Sequence, residues 1–209
     1  MTFSDDLKMM RESYYEIERR FIEISRIIPL DNTPETYSPR LYDILQTSCG
    51  QVENLLRMIC DELGLEYDNK TFPSYYKILN QNNILRNQIV DYFLGNITCT
   101  PFLLEPAKET PFWWIAYNQT KHDLPKGYKN GNLKNTINAL AGVYALQCMA
   151  SYVVHAKKEV LDNSKWKQQK SLSMNTLKPL TEVHWDIDDV RPRSDVFYPL
   201  SYYYPLGGP

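Results

Sequence analysis

Three polar residues near the middle of the chain have the types and the spacing to handle a phosphate group. Asn118, Lys121 and His122 follow an aromatic run that begins at Trp113, and on a helix residues three and four apart lie on the same face. An imidazole transfers protons near neutral pH, an ammonium neutralises a phosphoryl oxygen, and an amide orients a hydroxyl. RNA can be cleaved without a metal, because its own 2′-OH attacks the adjacent phosphate when a base and a cation assist. The pattern alone leaves two readings open: a phosphate-handling face, or a polar helix end formed by His122 and Asp123.

Four segments are long enough and apolar enough to form the helices that would position this face. Apolar residues recur every three or four positions between Phe3 and Ile28, which is the period of a helix with one buried side. Ser4 is expected to cap the first helix, Ser38 the second and Asn132 the last. The predicted helices cover residues 4–28, 39–63, 112–123 and 132–161. The sequence thus predicts an all-α fold, an antiparallel bundle of four to five helices.

The segment between the second and third long helices gives weaker signals. Phe72 and Pro73 are expected to open a short helix, and the apolar stretch 84–94 is expected to form another. Polar, Gly- and Pro-containing stretches at 80–83 and 95–106 predict loops. The last long helix is apolar on two sides, so it is either the centre of the bundle or shared with a second subunit.

Residues 163–209 differ in composition from the rest, which divides the chain into a bundle, residues 1–162, and a C-terminal arm. Apolar and aromatic residues alternate between positions 196 and 206, the period of a β-strand. Pro199 and Pro205 limit such a strand to the edge of a sheet or to a polyproline-like arm. We expect the arm to pack on its own bundle or on a neighbouring subunit, and it offers a docking segment for a protein partner.

Composition narrows the class of protein. The 209 residues carry a formal net charge of −2, which disfavours a strongly basic protein that coats nucleic acid. The acidic N-terminus lacks the layout of a signal peptide, and no uninterrupted run of about 18 apolar residues occurs, so we expect no membrane span. The four cysteines include no Cys-x-x-Cys pair, which indicates buried thiols in a reducing cytoplasm. No phosphate-binding loop and no standard metal-site spacing is present, so we expect no metal and no other cofactor.

The Asn118-x-x-Lys121-His122-Asp123 core, the aromatic helix before it and the long helix from Asn132 resemble the HEPN domains. These are small all-helical domains of toxin–antitoxin, abortive-infection and CRISPR-associated proteins. The upstream pair of long helices agrees with that layout, so the resemblance covers residues 1–162. It implies a protein that acts on RNA, either as a metal-independent endoribonuclease in prokaryotic defence or a toxin–antitoxin system, or as a non-catalytic module. Such a module would bind nucleic acid, a nucleotide or another protein. The resemblance also implies a homodimer in which two motifs meet in one composite site.

Ribonucleases of that family carry an arginine, then four to six residues and a histidine, often with a polar residue directly after the arginine. His122 matches the histidine and Asn118 matches the polar residue, but Tyr117 stands where the arginine would be. A tyrosine has no planar, permanently charged fork to hold the scissile phosphate. Either Lys121 supplies the cation as a point charge, or the fold is kept for binding and catalysis is lost.

Two acidic residues are candidates for supporting roles beside Tyr117. The second helix of the family often offers a polar residue toward the site, and Glu53 is that residue here. The alternative for Glu53 is a surface pair with Arg57, four residues further along the same helix. Asp123 follows His122 directly, so it belongs either to the site or to the helix end.

Overall fold

A computed structural model describes residues 2–29, 33–92, 94, 97–162 and 194–199 of the chain. Within these residues the protein is mainly helical, with one small sheet. The helices are α1 (Phe3–Ser25), α2 (Pro39–Glu62), α3 (Phe72–Leu79), α4 (Phe112–His122), α5 (Leu124–Gly127) and α6 (Leu133–Asp162). The strands are β1 (Val90–Tyr92), β2 (Ile97–Cys99) and β3 (Phe197–Pro199), and short 3-10 helices lie at Gln81–Asn83 and Tyr128–Asn130. The all-α prediction is therefore confirmed in its coarser form, as a mainly helical fold.

The two N-terminal helices begin where side chains satisfy their free backbone groups. Thr2 caps α1: its hydroxyl accepts from the Asp5 N–H at 3.3 Å, and the Asp5 carboxylate accepts from the Thr2 N–H at 3.0 Å. The cap predicted at Ser4 is wrong, because this reciprocal pair starts the helix one residue earlier. Ser38 caps α2 as predicted, with its hydroxyl oxygen 3.2 Å from the Leu41 amide nitrogen.

Helix α6 is the centre of the fold and packs along α2. Asn132 caps it as predicted, since its side-chain oxygen accepts from the Asn135 N–H at 2.9 Å. The Thr136 hydroxyl donates to the Leu41 carbonyl at 3.1 Å, so α2 and α6 begin at the same end of the molecule. The uniformly antiparallel bundle is therefore wrong for this pair. Because α6 also contacts α1, α4 and all three strands, its two apolar sides are both covered within one chain.

One part of α6 has the length and composition of a membrane span. Leu133–Val154 reaches a mean hydropathy of 1.4, and 83% of that window is buried inside the protein. The sequence has no uninterrupted apolar run of this length, because polar residues such as Thr136 and Gln147 interrupt it, but the average hydropathy of the window is still high. The core helix of a folded protein has the same composition, and burial accounts for it here.

The sheet forms in the region that gave weak sequence signals, with strand order β2-β1-β3. Both pairs are antiparallel, and Val90 lies opposite Cys99 in β2 and Pro199 in β3. The helix predicted for 84–94 and the loop predicted for 95–106 are therefore wrong where β1 and β2 form. A short apolar run does not by itself distinguish a strand from a buried helix, and here the neighbouring strands decide.

Residues 194–199 of the C-terminal arm are built into this fold. β3 is an edge strand, as Pro199 predicted, and Phe197 is fully buried. The Phe197 ring centroid lies 5.3 Å from that of Tyr92 and 6.0 Å from that of Tyr144. The strand pattern beyond Pro199 and the rest of the arm lie outside the described residues, and the domain boundary after residue 162 stays a prediction.

A buried carboxylate attaches this segment to α1. Glu18 is 3% exposed and accepts hydrogen bonds from the Tyr14 hydroxyl at 2.6 Å, from the Asp195 N–H at 3.1 Å and from the Ser194 hydroxyl. Burial raises the pKa of Glu18, although these three donors oppose the shift. The segment is therefore held by hydrogen bonds to a charge-bearing group as well as by strand pairing.

All four cysteines are free and buried, as predicted: Cys49, Cys60, Cys99 and Cys148. Burial raises the pKa of the Cys60 and Cys99 thiols to about 12. Thiols of this kind are unreactive near neutral pH.

Candidate functional site

Aromatic packing fixes the inner face of α4. Trp113 is fully buried and its indole N–H donates to the Pro101 carbonyl. Trp114 is 5% exposed and stacks on Phe72 at the start of α3, with ring centroids 4.0 Å apart and planes 16° apart. Because these rings face the core, they fix the position and direction of α4.

The three polar residues of the predicted face lie in the last two turns of α4, one and two turns after the buried rings. Lys121 and His122 are exposed in the last turn of α4, and Asn118 is half-buried one turn earlier. The imidazole of His122 makes no hydrogen bond to another described residue, and it is exposed to solvent. The structure thus places the three side chains that the spacing grouped on neighbouring turns of one helix, with Lys121 and His122 exposed to solvent.

Tyr117 connects this face to the aromatic core. Its ring centroid lies 5.1 Å from that of Trp114, and the Lys121 ammonium nitrogen lies 5.7 Å from the Tyr117 centroid, over the ring. Burial raises the pKa of the Tyr117 phenol; the Lys121 charge opposes that shift and the Glu53 charge adds to it. The Lys121 cation is therefore held over the Tyr117 ring.

Glu53 has a structural partner in this arrangement. Its carboxylate accepts a hydrogen bond from the Phe72 N–H at 3.0 Å, which satisfies a free donor at the start of α3. The alternative that Glu53 pairs with Arg57 is wrong, because Glu53 points to α3. Glu53 acts on the candidate site through its charge near Tyr117, and it supports the helix on which Trp114 stacks.

Asp123 also belongs to the backbone scaffold. It caps α5, where its carboxylate accepts from the Lys126 N–H at 3.4 Å and pairs with the Lys126 ammonium at 2.9 Å. The turn behind it is tight: a Cβ added to Gly127 would lie 2.5 Å from the Thr120 Cα. Thr120 itself donates to the Ala116 carbonyl at 2.8 Å. Asp123 and Gly127 thus fix the direction in which the chain leaves His122.

Sequence reasoning missed a group of lysines around this helix end. Residues 112–134, which we call the basic segment, contain four lysines and a single acidic residue in a chain whose net charge is −2. The lysines are Lys121, Lys126, Lys129 and Lys134, and all four are exposed. Their signal in the sequence was the near absence of acids from this stretch, which is visible only when charge is counted locally.

No family model, curated protein or solved structure matches this chain significantly. Within the described residues, no group of three or more His, Cys, Asp or Glu side chains is placed to hold a metal ion. The side chains of the basic segment and their surroundings are therefore the basis for a functional assignment.

Proposed function

We propose that this chain is an HEPN-like protein that acts on RNA through the basic segment, with His122, Lys121 and Asn118 as its reactive face. The observation that carries the proposal is the exposed pair Lys121 and His122 at the centre of a local excess of lysines. Phosphate groups supply most of the affinity of proteins for nucleic acids, and exposed cations attract them. An exposed imidazole next to such cations is placed to exchange protons with a bound ribose.

A cleavage step on this face uses the RNA's own hydroxyl. The 2′-oxygen attacks the adjacent phosphorus, the bond from phosphorus to the 5′-oxygen breaks, and a 2′,3′-cyclic phosphate and a 5′-hydroxyl result. His122 accepts the proton of the 2′-OH or supplies one to the leaving 5′-oxygen, so that the proton count balances with a second acid or base or with water. Lys121 neutralises charge on the phosphoryl oxygens, and Asn118 orients a hydroxyl.

Tyr117 favours a second candidate, a binding module without catalysis. Its half-buried ring packs on Trp114 where the family motif has an arginine, and a lysine is a point charge without the bidentate geometry of a guanidinium. An aromatic ring beside a lysine is, however, a suitable surface for a base and its phosphate. Both candidates therefore share RNA as the ligand and differ in whether His122 exchanges protons.

One experiment separates the two candidates. Purified protein is incubated with a mixed RNA pool in EDTA, and binding is measured in parallel by fluorescence anisotropy, for wild type, His122→Ala, Lys121→Ala and the control Lys108→Ala. Lys108 is an exposed lysine outside the basic segment. Cleavage that His122→Ala abolishes and Lys108→Ala retains supports the nuclease. Binding without cleavage, weakened by Lys121→Ala alone, supports the binding module, and no RNA binding by wild type contradicts both.

The resemblance carries three further proposals: a homodimer with a composite site, a cytoplasmic location, and a role in prokaryotic defence or a toxin–antitoxin system. Because one chain covers both apolar sides of α6, the apolar pattern no longer argues for a dimer, which rests on the resemblance alone. Light scattering of the purified full chain tests it, and a monomer at micromolar concentration contradicts it.

A further inference from the structure

A second surface lies at the other end of α2, away from the basic segment. There the first turns of α1 and the last turns of α2 border an open groove of about 460 Å³. Its floor is apolar and is formed by Phe3, Met9, Met10 and Met58, and we call it the methionine groove. Met9 is 55% exposed.

At the groove, the apolar stripe of α1 is only partly covered. Leu7, Tyr14 and the later members of the stripe are buried, whereas Phe3 and Met10 at the same helical spacing are only half-buried. Phe3, Met10 and Met58 pack against the core and still expose part of their apolar surface. Three of the six methionines of the chain lie here, and methionine is the side chain that adapts best to a variable partner.

The rim of the groove is acidic. Asp6, Asp61 and Glu62 border it, and Arg57 is the only cation among the lining residues that the structure describes. Arg57 forms no ion pair within 4 Å with a described acid. An apolar floor with a rim of net negative charge complements a segment that carries a bulky apolar side chain between cationic ones.

We propose that the methionine groove is a docking site for a cationic amphipathic segment of a partner protein. A bulky apolar anchor of that segment would lie between Met9 and Met58, and its lysines or arginines would face Asp6 and Asp61. The site is independent of the proposed RNA surface, because its charge has the opposite sign and repels phosphate.

The test uses the full chain and a dye-labelled amphipathic peptide made of lysine and leucine with one central tryptophan. Binding is measured by anisotropy for wild type, Met9→Lys and Asp61→Lys. Two controls lie at the other ends of these helices: Ile27→Lys, two residues after the end of α1 at a side chain 79% exposed, and Asp43→Lys in α2, at one 61% exposed. A peptide with glutamate in place of lysine completes the set.

We expect saturable binding of the cationic peptide that rising salt weakens. Met9→Lys and Asp61→Lys should each weaken it about tenfold, with wild-type affinity in Ile27→Lys and Asp43→Lys. Equal binding by all five proteins, no binding at all, or equal binding of the glutamate peptide overturns the proposal. Binding that appears only in a Trp166→Ala variant also overturns it, because the chain's own lysine-flanked Trp166 would then be the occupant.

Discussion

The two ends of α2 carry surfaces of opposite character, although one helix of 24 residues connects them. At its first turn, Tyr42 lies beside the basic segment, with its ring centroid 6.4 Å from that of Tyr128. At its last turns, Met58 and Asp61 border the methionine groove. An α-helix of this length spans about 36 Å, which is several Debye lengths at physiological salt. The two surfaces can therefore attract ligands of opposite charge without disturbing each other.

The two surfaces also differ in how they are supported. The basic segment is anchored by buried aromatic rings and tight glycine turns, so its exposed side chains are held in place from below. The methionine groove has flexible side chains on the surface of two helices whose cores lie elsewhere. The basic segment is therefore suited to fixed geometry, as proton transfer requires, and the methionine groove is suited to adaptable binding.

The largest expected effect comes from removing the anchor of the basic segment. Trp114→Ala deletes a 5% exposed ring stacked on Phe72, and we expect a loss of about 3–5 kcal/mol in the free energy of unfolding. Trp114→Phe should lose clearly less, because it keeps an aromatic ring against Phe72. Urea denaturation measures both. If Trp114→Ala is as stable as wild type, aromatic anchoring does not distinguish the basic segment from the methionine groove.

A smaller effect is expected at the glycine turns. Gly127→Ala places a Cβ 2.5 Å from the Thr120 Cα, and overpacking of this kind destabilises by about 1–3 kcal/mol. RNA binding should fall as well, while binding of the cationic peptide stays unchanged. Gly50→Ala is the matched control, because nothing lies within 4 Å of its Cβ. Because Gly50 lies in the middle of α2, Gly50→Ala should stabilise the protein by about 0.5–1 kcal/mol. Thermal unfolding of both variants measures the two changes in stability.

Charge reversal at each end tests the independence of the surfaces directly. Lys121→Glu should weaken RNA binding about tenfold, about 1.4 kcal/mol, and leave peptide binding unchanged. Asp61→Lys should do the reverse. Anisotropy titrations of both ligands with both variants give four affinities. If either variant changes the affinities for RNA and for the peptide equally, the two ligands share one surface or the substitution alters the whole fold. The two surfaces would then not be independent.

The smallest effect is expected midway along α1, at Glu18. Burial raises its pKa in the folded protein, so the folded state binds the proton more tightly than the unfolded state. The free energy of unfolding should therefore fall as pH rises from the unfolded pKa of a glutamate through the raised folded value. Denaturation across that pH range in wild type and Glu18→Gln measures it, and the variant should show a weaker slope. An unchanged slope of stability against pH would mean that Glu18 is not the titrating group. Because Glu18 lies in neither surface, Glu18→Gln should bind RNA and the cationic peptide with wild-type affinity.

Much of the helical framework was predictable from local chemistry. The helix that begins at Ser38 and the one that begins at Asn132 were predicted with their caps, because a capping side chain acts on an amide three residues away. The grouping of Asn118, Lys121 and His122 followed for the same reason, since helical spacing alone decides it. These features depend on contacts between residues that are close in sequence.

The errors fall where distant residues decide the outcome. Val90–Tyr92 became a strand because β2 and the distant β3 pair with it, and no local signal reports those partners. Helical spacing offered Arg57 as an alternative partner for Glu53, but the Phe72 N–H, 19 residues away, is its partner. Glu18 reads as one more charge on an amphipathic helix, yet a segment 176 residues later in the chain buries it.

The sequence by itself determined the four long helices, the caps of α2 and α6, the burial of the thiols and the polar face of α4, because periodicity and capping are local properties. The tertiary structure alone decided that α2 and α6 begin at the same end, and that a lysine-rich end and a methionine groove lie at opposite ends of one helix. Each of these depends on which helix faces lie together in space. Side chains pack by shape and charge with neighbours that are distant in the sequence, and local sequence patterns do not identify these neighbours.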